Sequence, residues 1–114
     1  MKKTSIQDAK PYHPPGHQGM VALRLQDKEL SGSSQIWMGL SHFLPMGGAE
    51  WAYKDSPTEK IYFVLEGEIT VQSETETFIL KKYDSIYLPP FESRLITNQS
   101  NFPASILVTI TYPA

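Results

Sequence analysis

The sequence predicts an all-β barrel or sandwich, and two observations support this prediction. Nine prolines and seven glycines interrupt a chain of 114 residues at short intervals. The runs between them are rich in Val, Ile, Thr, Tyr and Phe, which are the residues that favour strands. Short strands separated by turn residues are typical of all-β sandwiches and barrels. The chain length predicts one domain with a single core.

The runs between the turn residues predict strands along most of the chain. In order they are Val21–Leu25, Ser34–Leu44, Ala49–Tyr53, Lys60–Leu65, Glu68–Ser73, Thr77–Leu80, Ser85–Leu88, Arg94–Thr97 and Ala104–Thr111. The polar segment Ser73–Glu76 suits the solvated tip of a hairpin. Only SIQDAK and DKELS could form a turn of helix. Neither carries an amphipathic pattern of useful length, so no longer helix is expected.

The first part of the chain differs from the rest in its prolines. Pro11, Pro14 and Pro15 have no backbone N–H to donate, so this segment is not expected inside a sheet. We therefore predict an N-terminal arm over residues 1–19 and a barrel domain over residues 20–114. The arm is expected to fold across the barrel or onto a partner subunit.

Composition and charge exclude several classes of function. A net charge of −2 and a pI near 5.9 give no reason to expect a nucleic acid or an anionic membrane as partner. The chain has no cysteine, which excludes disulfides and thiol catalysis. The longest apolar runs, IYFVL and ASILVTI, are too short to span a bilayer. A cytoplasmic protein is the expectation.

Two segments carry a recognisable spacing of residues. The first, PMGGAEWAYKDSPTEKIYFVLEGE, ends in a glycine turn at Gly67. It resembles the first motif of the cupin superfamily: Gly, five residues, His-x-His, three or four residues, Glu, six residues, Gly. Counting back from Gly67 places Lys60 at the glutamate position. The two histidine positions hold Lys54 and Ser56 for the three-residue spacing, or Tyr53 and Asp55 for the four-residue spacing.

The second segment, YDSIYLPPFESRLITN, is similar to the other cupin motif: Gly, five residues, Pro-x-Gly, two residues, His, three residues, Asn. Tyr83 stands at the first glycine position and Pro89 is retained. Phe91 replaces the second glycine, Arg94 replaces the histidine, and Asn98 closes the frame. The resemblance covers roughly residues 35–110, and it implies a double-stranded β-helix (jelly-roll) barrel.

The resemblance also implies what this chain lacks. The family's metal site consists of three histidines and a glutamate, and this chain has none of the four at the matching positions under either spacing. Lys60 and Arg94 stand at two of these positions, and protonated lysine and arginine offer no lone pair to a divalent ion. A metal-independent site without a cofactor is therefore expected.

The substituted positions predict a pocket for an anion. Alternate residues of a strand share a face, so an inward Lys60 brings Tyr62 with it, and Arg94 would face the same lumen. A guanidinium suits a carboxylate, phosphate or enolate, and burial lowers the pKa of a lysine. Lys54 could join these cations, and Trp51 and Phe91 are expected near the mouth. Alternatively, Lys60 and Arg94 could pair with Glu50, Glu59 or Asp55 in a structural cluster.

The three histidines allow a different site. His13 and His17 have an H-x3-H spacing on the proline-rich arm, and His42 lies in a predicted strand. Together they could bind a metal, although this spacing is typical of a helix and Pro14–Pro15 oppose one. An inward His42 would instead be the best general acid–base candidate in the pocket, because its unperturbed pKa is close to neutral. Ordinary packing is the third possibility.

The predicted function is that of a metal-independent cupin which binds a small organic anion. Whether it is an enzyme stays open between two interpretations. The first is proton-transfer chemistry of isomerase, cyclase, lyase or decarboxylase type, in which Arg94 anchors the anion, Lys60 polarises or protonates it, and Tyr62 and His42 assist. The second is a non-catalytic ligand-binding or sensor module. The resemblance also implies a homodimer, a state common among cupins.

Overall fold

Nine antiparallel strands make up most of the protein in the structure, a computed structural model that describes residues 1–113. The strands are β1 (Pro11–Tyr12), β2 (His17–Gln26), β3 (Ile36–Ala52), β4 (Lys60–Glu66), β5 (Ile69–Gln72), β6 (Thr77–Leu80), β7 (Ser85–Leu88), β8 (Arg94–Thr97) and β9 (Ala104–Thr111). A 3₁₀ turn (Ile6–Asp8) precedes β1, and helix α1 (Lys28–Ser31) follows β2. The predicted all-β barrel is confirmed.

The sheet has the strand order β6-β5-β8-β3-β9-β4-β7, with β2 also paired to β3 and β1 on the outer edge of β2. Strand β3 organises this arrangement because it takes part in both halves of the barrel. Its first half pairs with β9, from Ile36 opposite Thr111 to Phe43 opposite Ala104. Its second half pairs with β8, where Gly48 lies opposite Thr97. The sheet therefore curves round a common lumen.

Most of the predicted elements occur where the sequence places them. Strands β6 to β9 have the predicted bounds, and β5 and β6 form the hairpin whose tip is Ser73–Glu76. Both predicted helical turns are present. Helix α1 is capped by the side chain of Asp27, which accepts a hydrogen bond from the N–H of Leu30 at 2.8 Å, and it ends at Gly32 with φ of 75°.

The N-terminal third differs in detail from the prediction. The two strands predicted over 34–44 and 49–53 are one strand, β3, which continues through Pro45–Gly48. Strand β2 begins at His17, inside the segment predicted to be an arm, and Pro11–Tyr12 pairs with it as a two-residue edge strand. An edge position is the place in a sheet that tolerates proline, because one side of the strand needs no donor.

Three residues at the glycine positions of the cupin motifs share one backbone conformation. Gly67 has φ of 77°, and a Cβ added there would meet the carbonyl oxygen of Pro103. Tyr83 and Phe91 have φ of 72° and 63°, which bulky residues rarely adopt. The two turns therefore keep the left-handed geometry that the motif glycines favour, although this chain has aromatic residues in both.

The core lies inside the barrel and alternates along the strands. On β4 the residues Lys60, Tyr62 and Val64 face inward, while Ile61 lies outside. Strand β9 alternates in the same way, with Ala104, Ile106, Val108 and Ile110 buried. In the part of the chain that the structure describes, no helix is long and apolar enough to cross a membrane.

Candidate functional site

Strands β4 and β8 bring two cationic side chains into the barrel. Lys60 has no exposed surface and Arg94 is 2% exposed. Both contact the ring of Tyr53, which follows β3: the centroid of the ring is 4.0 Å from Nζ of Lys60 and 4.9 Å from Cζ of Arg94. The two side chains that the motif spacing places at metal-ligand positions are therefore neighbours in the lumen.

Within residues 1–113, the hydrogen bonds of the Lys60 side chain go to one residue, Thr58. Its Nζ donates to the carbonyl oxygen and to Oγ1 of Thr58, each at 3.3 Å. Burial, with a smaller effect from the charge of Arg94, lowers the pKa of Lys60 from 10.5 to about 8. A fraction of the amine is therefore neutral near physiological pH, and Lys60 can both give and accept a proton.

Arg94 is oriented by two hydrogen bonds. Its Nε donates to Oη of Tyr62 at 3.0 Å, and its Nη1 donates to the carbonyl oxygen of Glu50 at 2.7 Å. A guanidinium has five N–H donors, so three remain for a ligand. Burial raises the pKa of Tyr62, against the opposing charge of Arg94, which keeps the phenol protonated at neutral pH.

Neither buried cation has an acidic partner among residues 1–113. The ion pairs found there within 4.0 Å join Arg24 to Asp27, Lys54 to Glu74 and Lys82 to Glu66. The alternative that Lys60 and Arg94 form a structural cluster with Glu50, Glu59 or Asp55 is therefore not what the structure contains. Unpaired buried charge is costly, and an anionic ligand would offset that cost.

A cavity of about 130 Å³ lies beside Arg94. Isoleucine and valine side chains of β8 and β9 form its floor, and its polar wall includes Arg94, Tyr62 and Ser41. A depression of about 580 Å³ on the outside shares Pro14, His17, Tyr53 and Arg94 with the cavity. The mouth of the lumen therefore lies between the N-terminal arm and the segment that follows β3.

Two residues that line the cavity, Tyr53 and Arg24, were not predicted as site residues, whereas His17 was predicted only for the alternative metal site. Tyr53 stands at a motif histidine position for the four-residue spacing, so that spacing was the signal that could have identified it. Nδ1 of His17 lies 2.9 Å from the carbonyl oxygen of Pro15, and burial lowers the pKa of the ring. Arg24 stacks on Trp37 at 3.7 Å from the ring centroid. No sequence pattern indicated that Arg24 would line the cavity.

His42 requires a correction, because it does not face the lumen. It is exposed on the outer face of β3, where Nδ1 lies 2.7 Å from Oγ of Ser105. Its neighbours Ser41 and Phe43 occupy the inward positions. His42 therefore cannot act as the acid–base group of the lumen. The alternative metal site on the histidines is also wrong, since no group of three or more metal-binding side chains occurs within residues 1–113.

The remaining predicted binding residues do not line the lumen cavity. Trp51 is 48% exposed and Phe91 is 60% exposed. Lys54 is exposed and lies 3.6 Å from Oε1 of Glu74. Trp51 and Lys54 line a surface groove of about 760 Å³ together with the hairpin β5–β6, which contributes Glu74 and Glu76. The expectation that Lys54 joins the two inner cations is therefore corrected.

The lumen does not fit the metal that the resemblance to cupin motifs would imply. Lysine and arginine stand at the glutamate position and at the histidine position of the second motif, and neither side chain ligates a divalent cation while protonated. Their two positive charges would repel such an ion. No step of a reaction is therefore assigned to a metal.

Comparison with known proteins identifies relatives of this chain. The family model described as "Cupin domain" matches residues 39–110. A β-D-galactosidase of Mycobacterium tuberculosis is 36% identical over 115 residues, which cover 99% of this chain and 96% of that protein.

Many solved structures share the fold, and two of them show the extent of the likeness to this chain. A polyketide cyclase of Streptomyces resistomycificus has a TM-score of 0.83 at 19% identity, and the match covers 97% of this chain and 79% of that one. A sugar phosphate isomerase of Silicibacter pomeroyi has a TM-score of 0.80 at 19% identity, with 96% and 75% covered. At these identities the likeness concerns the fold alone.

Proposed function

The chain belongs to the cupin family, and from that premise we propose that it binds a small organic anion, a carboxylate or an enolate, in the barrel lumen without a metal. One observation carries this proposal: Lys60 and Arg94 are buried side by side, and neither has an acidic partner among residues 1–113. A negative ligand would supply the missing charge, and the apolar floor of the cavity would strengthen its attraction to both cations.

Each of the three inner polar groups has a distinct role in this proposal. Arg94 binds the anion through its remaining N–H donors, in the planar geometry that suits a carboxylate. Lys60, with a pKa of about 8, transfers a proton to or from the bound molecule. Tyr62 accepts a hydrogen bond from Arg94, so its own O–H can donate to an oxygen on which negative charge develops. These roles suit isomerase, cyclase, lyase or decarboxylase chemistry.

The same pocket would also serve a ligand-binding or sensor module that catalyses nothing. Such a module needs the anchor, Arg94, but has no use for an amine with a lowered pKa. Turnover therefore distinguishes the two: an enzyme loses kcat when Lys60 is replaced, whereas a binding module loses only affinity.

Titration calorimetry tests the binding proposal. The wild type would be titrated with acetate, oxalate, pyruvate and inorganic phosphate at pH 7. Arg94→Met should weaken binding by about 2–5 kcal/mol, because a buried charge-assisted contact is lost, and Lys60→Met should have a smaller effect. Lys54→Met is the matched control, since it removes one positive charge from the rim without touching the lumen. Equal small effects of all three substitutions would refute the proposal.

A second candidate function is hydrolysis of a β-galactoside, and two observations favour it. The Mycobacterium tuberculosis relative bears that activity in its name and matches nearly the whole chain. Glycoside hydrolysis commonly needs two carboxyl groups. Within residues 1–113, no Asp or Glu lines the lumen cavity, whereas Glu74, Glu76 and the exposed ring of Trp51 line the surface groove. Lys54 and Oγ of Ser93 hold the carboxylate of Glu74 at 3.6 and 3.1 Å.

A chromogenic β-galactoside distinguishes the two candidates. If the groove hydrolyses it, Glu74→Gln and Glu76→Gln should each abolish release of the chromophore, while Lys60→Met should leave the rate unchanged. Hydrolysis that depends on Lys60 and not on the two glutamates would place the reaction in the lumen. No hydrolysis by the wild type would remove this second candidate.

A further inference from the structure

Tyr53 lies where a ligand of the two buried cations would have to lie. Its ring contacts both Lys60 and Arg94, and it lines the lumen cavity as well as the outer depression. Within residues 1–113, Arg94 forms part of the wall of both spaces, whereas Lys60 forms part of neither. An anion that enters at the mouth therefore reaches Arg94 first, and it reaches Lys60 only after the ring has moved.

The backbone of Tyr53 is compatible with such a movement. Tyr53 has φ of 77°, a left-handed conformation that is unfavourable for a bulky side chain. It is the first residue after β3, so a change in its backbone angles breaks no strand pairing. The ring is attracted to the two cations through its electron-rich face, and this attraction is weaker than that of a carboxylate at the same place.

We propose that Tyr53 determines the ligand specificity of the lumen: its ring occupies the ligand position, and an anion displaces it only by engaging Lys60 and Arg94 together. This inference rests on the proposed anion-binding function. A monofunctional acid such as acetate satisfies Arg94 and leaves the ring over Lys60. A bifunctional anion such as oxalate has a second oxygen group for the amine, so it compensates for both lost ring contacts.

Calorimetry with acetate and oxalate tests the inference on three variants. The wild type should bind oxalate about tenfold more tightly than acetate, since the contact between Lys60 and the ring, for which only oxalate compensates, is worth about that factor. Tyr53→Gly should bind acetate about tenfold more tightly than the wild type does, and the preference for oxalate should shrink. Tyr53→Asn, which also tolerates φ above zero, should behave like Tyr53→Gly. Tyr53→Phe should behave like the wild type, because it keeps the ring.

Phe91→Gly is the matched control. Phe91 has φ of 63° and a 60% exposed ring, and it lines neither the lumen cavity nor the outer depression. Within residues 1–113 its ring contacts neither Lys60 nor Arg94. Its replacement relieves the same kind of backbone strain, so it should leave both affinities at the wild-type values. An equal gain in this control would mean that relief of strain, rather than loss of the covering ring, explains the result, and would overturn the inference.

Chemical labelling gives a readout that does not depend on affinity. A small acylating reagent at pH 8.5, followed by peptide mass spectrometry, should leave Lys60 unmodified in the wild type and modify it in Tyr53→Gly. Equal modification in the two proteins would overturn the inference, as would an unchanged preference for oxalate. In either case anion binding itself would still stand. Absence of binding to every variant would instead overturn the proposed function and this inference with it.

Discussion

Replacement of Lys60 by methionine should change how the stability of the protein depends on pH. In the folded protein the pKa of Lys60 is about 8, whereas in the unfolded chain it returns to 10.5. Below pH 8 both states carry the proton, so this group adds no pH dependence there. Between pH 8 and 10.5 the unfolded state binds more protons than the folded state, and the free energy of unfolding therefore rises with pH.

The size of this effect follows from the same two pKa values. Each unit of difference corresponds to about 1.4 kcal/mol, so the full change is about 3 kcal/mol. From pH 7.5 to 9.5 the wild type should gain about 2 kcal/mol relative to Lys60→Met. The raised pKa values of Tyr12 and Tyr62 have the opposite sign, because they lower stability once the unfolded tyrosines ionise near pH 10. The comparison is therefore made below that pH.

Urea denaturation at half-unit steps of pH measures this difference. The buffers should be zwitterionic and free of small carboxylates, since a bound anion would raise the pKa of the lysine. Lys54→Met is the control, because that side chain lies in solvent on the rim, and its profile should run parallel to that of the wild type. If the profile of Lys60→Met is also parallel, the amine of Lys60 is not desolvated, and its proposed role as a proton donor and acceptor at neutral pH loses its basis.

Three further predictions follow from the same contacts. An anion at 100 times its dissociation constant for the wild type should stabilise the wild type by about 2.7 kcal/mol and raise Tm in a thermal melt. The same concentration should stabilise Arg94→Met by less than about 1 kcal/mol. His42→Ala should leave anion affinity unchanged in calorimetry, because His42 lies on the outer face; a tenfold loss would contradict that placement. Asn98→Ala should lower the free energy of unfolding by about 2–4 kcal/mol, since the fully buried amide of Asn98 donates to the carbonyl oxygens of Phe43 and Phe102. Urea denaturation measures this loss, and a value below about 0.5 kcal/mol would contradict the prediction.

The strands of the C-terminal half could be predicted because turn residues separate them clearly. Strand β3 was harder, since Pro45 and two glycines suggested a turn in its middle. In the structure the glycines have the opposite effect. Gly47 lies against Gly19 and Gly48 lies against Ile96, so close that a Cβ at either position would collide with backbone. The absence of side chains therefore lets β3 pass between β2 and β8 rather than ending it.

The alternation of side chains along each strand explains which site residues could be predicted from the sequence and which could not. The motif spacing indicates which face of β4 and of β8 is inward, and it therefore predicts Lys60 and Arg94 in the lumen. Tyr62 follows from Lys60, because alternate residues of a strand share a face. The outward orientation of His42 could not be predicted, because β3 has apolar residues on both faces: Leu40 and Leu44 lie outside while Phe43 lies inside. A strand without clear alternation does not reveal which of its faces is buried.

The position of the site and the charge of its ligand have separate causes in this protein. The turns at Gly67 and Phe91 fix the register of β4 and β8, and the register makes positions 60 and 94 point into the lumen whatever residues stand there. Residue type then decides the ligand. Glutamate and histidine at such positions surround a cation with lone pairs, whereas Lys60 and Arg94 surround the same space with N–H donors and positive charge. The ring of Tyr53 supplies only a weak negative face to these cations. The barrel therefore places two charged residues at its centre, and the ligand that we propose to balance them is an anion.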